Sequence, residues 1–107
     1  MTSRITDYYE DDTTLIPVQL PGSPDLVGTT TTFVARNLDT RAAITPITCT
    51  NLTDAGALTI PIATLVATVA GDVVYDEARI IVIDGATQET YPVEFDGRDR
   101  FRVRGAL

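Results

Sequence analysis

The 107-residue chain offers chemistry fifteen Asp and Glu side chains, eight basic residues, one Cys and no His. All eight basic residues are Arg, because Lys is absent. Without imidazole, the group that most often moves protons near neutral pH is missing. Without Lys there is no Schiff-base chemistry and no P-loop lysine to meet a phosphate. Ser3 and Ser23, the two serines, lie outside any Gly-x-Ser-x-Gly elbow, and no imidazole could activate them. The single Cys49 can form neither an internal disulfide nor a zinc site of the usual Cys/His kind. Carboxylates remain, and a glycosidase needs only two of them. With no Trp to stack on a sugar ring, isolated acids read as solvated surface. The inventory predicts a protein that is not an enzyme and has neither metal nor cofactor.

Charge is instead gathered into two clusters that suit binding. Asp7-Tyr8-Tyr9-Glu10-Asp11-Asp12 packs four acids and two aromatics into six positions. One reading makes residues 1–13 an extended acidic arm that docks on a neighbouring subunit, with Tyr8 and Tyr9 as anchors and the acids, Asp11 and Asp12 among them, meeting Arg. The other makes it a frayed, solvated terminus. A calcium loop is disfavoured, since the alternate spacing and its glycine are lacking. At the far end, Arg98, Arg100, Arg102 and Arg104 hold half the basic charge within seven residues. Their period of two sets them on one face of a strand. They form either a cationic stripe for an acidic neighbour, such as the arm of another copy, or the screened outer face of the last strand. A net charge of −7 disfavours nucleic acid as the partner. No stretch approaches the roughly 20 apolar residues of a membrane span. The first residues carry no apolar segment of a signal peptide.

The elements that must position these clusters are strands. Eighteen Thr, with many Val and Ile, favour extended backbone. Alternation predicts about seven strands: residues 15–20, 29–37, 44–50, 58–62, 73–83, 88–95 and 100–104. Pro17 and Pro61 cannot donate to a ladder, so their strands belong at edges. The run 73–83 would span roughly 35 Å unbroken, so a bend is expected near Glu77. Asp84-Gly85 announces a hairpin with a slightly longer loop than the tightest, and Asp96-Gly97 a further turn. Residues 63–70 are ambiguous between a helical turn and an extended link. Turns every 8–12 residues give the signature of an all-β sandwich over residues 14–107. Ile80-Ile81-Val82-Ile83 puts large apolar groups on both strand faces. Ile81 and Ile83 therefore either lie under loops or help form a subunit interface. Cys49, alternating with Ile47, reads as a buried, inert thiol.

Three stretches carry a family resemblance: Asp25-Leu26-Val27-Gly28-Thr29-Thr30-Thr31-Thr32-Phe33, then Gly71-Asp72-Val73-Val74-Tyr75 with Ala78-Arg79-Ile80-Ile81-Val82, and finally Asp84-Gly85, Tyr91-Pro92 and Phe101-Arg102-Val103. In order and spacing, over residues 13–104, they resemble the immunoglobulin-like N-terminal domain of tailed-phage baseplate upper proteins and related small phage virion proteins. The excursion after Tyr91-Pro92 is longer than in that family, and the chain ends at Leu107, short of its fibre-like region. The resemblance therefore implies a single small immunoglobulin-like virion component. It would be a non-enzymatic part of the tail or baseplate, present in many copies and docking onto other virion proteins, with no small-molecule substrate. Capsid decoration and a monomeric carbohydrate- or protein-binding accessory domain are the alternatives.

Overall fold

The computed structural model describes residues 6–9, 15–61, 73–95, 97 and 99–104. Among them are eight strands and no helix: β1 (Thr6–Tyr9), β2 (Leu15–Gln19), β3 (Thr30–Asn37), β4 (Ile47–Thr48), β5 (Ala57–Pro61), β6 (Val73–Asp84), β7 (Thr87–Pro92) and β8 (Phe101–Arg104). One sheet runs β1-β8-β6-β3-β4, with β7 also paired to β6. The other holds β2 and β5. Residues 63–70 lie outside the described residues.

Alternation builds the core from both sheets. Phe33, Ile80, Phe101 and Val103 point inward from the larger sheet, and Ile16, Leu58 and Ile60 from the smaller. All seven join one buried cluster, an arrangement consistent with a β-sandwich. At its centre the ring of Phe101 lies 5.3 Å from Tyr75, 5.1 Å from Phe95 and 5.9 Å from Phe33. Thr31, also buried, satisfies its hydroxyl against that of Thr29 at 2.8 Å.

The prolines stand where the ladder can spare a donor. Leu20 N–H donates to Gly56 O at 2.9 Å. That fixes the phase of β2, so Ile16 and Val18 direct their backbone groups to β5 and Pro17 faces the edge that no described strand covers. On β5, Thr59 exchanges both backbone bonds with Thr50 at 2.8 and 2.9 Å. Pro61 therefore also points away from β2. The segment at 47–50 thus crosses between sheets: Thr48 pairs with Thr32 in one, and Thr50 bridges Thr59 in the other. The expected strand over 44–50 shortens to Ile47–Thr48, with Pro46 removing a donor just before it.

β6 is the axis of the larger sheet. It bends where expected, since Glu77 has φ of 54° and the register with β3 slips between Val34 and Arg36. A residue in the left-handed region supplies the extra position of a bulge. Beyond the bulge β6 pairs with β7, and before it with β8. Ala78 marks the changeover: Val93 N–H donates to its carbonyl at 3.0 Å, and its own N–H donates to Asp99 O at 3.2 Å. The chain leaves β6 after Pro92, buries Val93 and Phe95, and returns as β8. The Asp84-Gly85 hairpin is tighter than its sequence suggested. Asp84 pairs directly with Thr87, leaving a two-residue loop. Gly85 has φ of 61°, the sign that the first position of a type II′ turn requires.

A second departure concerns the amino-terminal arm. Thr6–Tyr9, within the segment read as an arm over 1–13, is a strand of the larger sheet, running parallel to β8 in the register Asp7↔Arg102 and Tyr8↔Val103. Burial of Tyr8 against core rings and a carboxylate–guanidinium pair outweigh the solvation of a short acidic run.

Candidate functional site

The candidate interaction site is the edge made by β1 and β8. Parallel pairing sends Tyr8 inward with Val103 and Asp7 outward with Arg102. The Tyr8 ring meets Phe95 at 6.0 Å and Phe101 at 6.3 Å, both edge-on. Burial there pushes its phenol pKa up. Arg102 donates from Nε to Asp7 Oδ1 at 2.7 Å and from a terminal nitrogen to Oδ2 at 3.1 Å. Arg104 stands 4.0 Å from the same carboxylate. The Arg102 hydrogen bond, reinforced by the positive charge of Arg102 and Arg104, holds the Asp7 carboxyl below its ordinary range despite some burial.

The predicted interface residues separate into four groups. Tyr8, Arg102 and Arg104 converge on this edge, and Tyr9 lies beside them with 43% of its surface exposed. Asp11, Asp12 and Arg98 lie outside the described residues. Arg100 precedes β8 and lines a groove with Glu94 and Asp99. The contact expected between an acidic arm and an arginine stripe of two copies is, for Asp7 and Arg102, made within one chain. Asp7 is the member of the site that sequence reasoning marked only as one acid among those of the arm. Its only signal was its place among acids, because its partner lies 95 positions away.

Ile81 and Ile83 sit elsewhere, on the outer face of β6. Ile81 is partly buried, and Ile83 is 40% exposed. Their cross-strand neighbours are uncharged: Thr32 and Thr90 flank Ile81, while Thr30 and Gln88 flank Ile83. The patch is a β-branched face whose direct cross-strand neighbours carry no charge.

A charge cluster that sequence reasoning missed surrounds the bulge. Glu77 accepts from Arg79 at 2.9 Å and from Arg41, and lies 3.7 Å from Arg36. Arg41 also reaches both oxygens of the buried Asp76 at 3.1 Å. Arg41 itself has φ of 64°, so a strained turn aims this side chain at two carboxylates. These hydrogen bonds and charges keep its guanidinium protonated more firmly than usual. The cluster pins the β3–β4 connection to β6. The described residues include no group of three or more His, Cys, Asp or Glu side chains arranged to hold a metal ion.

Against family models, curated proteins and solved structures, the chain matches none.

Proposed function

We propose that this protein is a non-enzymatic structural component of a tailed-phage virion, a tail or baseplate part that docks onto neighbouring virion proteins. The carrying observation is the strand order. The second and fifth strands pair in one sheet, while the third, sixth and last are adjacent in the other. That order supports an immunoglobulin-like body, in which strands B and E share one sheet and C, F and G the other. It joins the three sequence stretches into one frame. The first leads into β3, the second into β6, and the third forms the β6–β7 hairpin and β8.

The mechanism is positioning. A rigid β body offers the uncharged face at Ile81 and Ile83 and the charged β1–β8 edge to its neighbours. Many copies multiply weak contacts through avidity. A monomeric carbohydrate- or protein-binding accessory domain is favoured by a single feature, a 490 Å³ groove between Pro17, Asn51 and Leu58. Gold-labelled antibody against the chain, applied to particles purified from its host, separates the readings. Label at the tail or baseplate is expected, and label over the head would move the assignment to capsid decoration. Unlabelled particles, with the chain left in the soluble fraction, would overturn the virion reading.

A further inference from the structure

We propose that β1 is an exchangeable strand: in the assembled state Thr6–Tyr9 of one copy pairs with β8 of the next, so the copies join head to tail. Four observations converge on this edge. Among the described residues β1 is the terminal strand of its sheet and pairs only with β8. The pairing covers four residues and is parallel, the weaker of the two ladder types. The side-chain contacts are specific to this segment: a Tyr8 ring for Phe95 and Phe101, and an Asp7 carboxylate for Arg102. Finally, β8 stripped of β1 would present a bare strand edge beside an uncovered aromatic cluster, which demands a cover.

A segment of identical sequence from a second copy supplies that cover with the same contacts. Exchange of an identical element therefore changes little but connectivity. The six Cα–Cα steps from Tyr9 to Leu15 span at most about 20 Å. That length limits exchange to a copy abutting this edge. Each copy passes its strand onward to the next, so the contact is heterologous and closes into a ring or extends into a filament. The proposal deepens the multi-copy reading above and rests on it.

Cysteines at the facing positions test it. Cys49 is buried and its thiol is pushed up to about 12, so it stays protonated and silent at pH 8. The variants Asp7→Cys and Arg102→Cys, mixed in equal amounts at high concentration and oxidised, can form a 7–102 bond only between copies. Exchange predicts that 7–102 pairs exceed the half share that random coupling gives. In the double variant D7C/R102C, oxidised when dilute, the bond closes within one chain and also reports that the edge is folded. The solution mass of this locked chain should stay monomeric as concentration rises, while that of the unaltered chain grows. A random share of 7–102 pairs, or an unaltered chain that stays monomeric, overturns the exchange. A locked chain that grows as the unaltered one does also ends it, yet leaves the multi-copy reading standing.

Discussion

Replacing Tyr8 with Ala should release β1 from the sheet and cost about 2–3 kcal/mol. A fully buried aromatic removes up to about 200 Å² from water. Tyr8 is partly buried, so about 100 Å² is at stake, worth roughly 2.5 kcal/mol at about 25 cal/mol per Å². Two edge-on ring contacts, to Phe95 and Phe101, add to this, and compactness of the unfolded chain subtracts from it. The loss has a ceiling. Once β1 is undocked, its remaining contacts are already gone, so Asp7→Ala added to Tyr8→Ala should cost almost nothing further. Such non-additivity is expected where two residues share one docking event. Urea unfolding followed by circular dichroism measures the total, and amide exchange along β8 shows whether its outer edge has opened. A loss below about 0.5 kcal/mol, with β8 amides as protected as before, would refute the packing argument.

Other consequences follow from the bulge, the acid and the thiol. Glu77→Gly and Glu77→Ala both delete the carboxylate, but only glycine relaxes a φ of 54°; the glycine variant should be about 1 kcal/mol the more stable in thermal unfolding. The Asp7 carboxyl has its pKa lowered in the folded chain by Arg102 and Arg104. Its contribution is complete above the unfolded value of about 3.9 and disappears as pH falls through the lower folded value. Unfolding curves from pH 6 down to 2 should therefore show an acid-dependent loss that Asp7→Asn lacks. Cys49, buried and with its thiol pKa raised to about 12, should resist alkylation in native buffer at pH 8 and react at once in 6 M guanidinium, as followed by mass.

Much of the body could be read from alternation, because burial of one strand face leaves a period of two in the residues. Thr31, Phe33 and Ala35 on β3, and Phe101 and Val103 on β8, are buried as that period requires. Pro17 and Pro61 marked their edges for a stereochemical reason that needs no tertiary knowledge. The bend at Glu77 was legible from length alone. The docking of β1 was hidden, since local composition argued for solvation and the deciding partners, Phe95, Phe101 and Arg102, come from the other end of the chain. The Arg36, Arg41, Asp76 and Glu77 cluster was hidden for the same reason, because only the β3–β6 register brings these charges together. The excursion between β7 and β8 was visible as extra length. Its cause, two strands sharing β6 on either side of a bulge, belongs to the topology.

The claim that this chain works as a building part is tested most directly by its copy number in purified particles. Isotope-dilution mass spectrometry against a labelled copy of the chain gives moles per particle. The account predicts several copies in a fixed ratio to the major tail or head proteins. Particles that carry none of it, or trace amounts that vary between preparations and wash away, would contradict it.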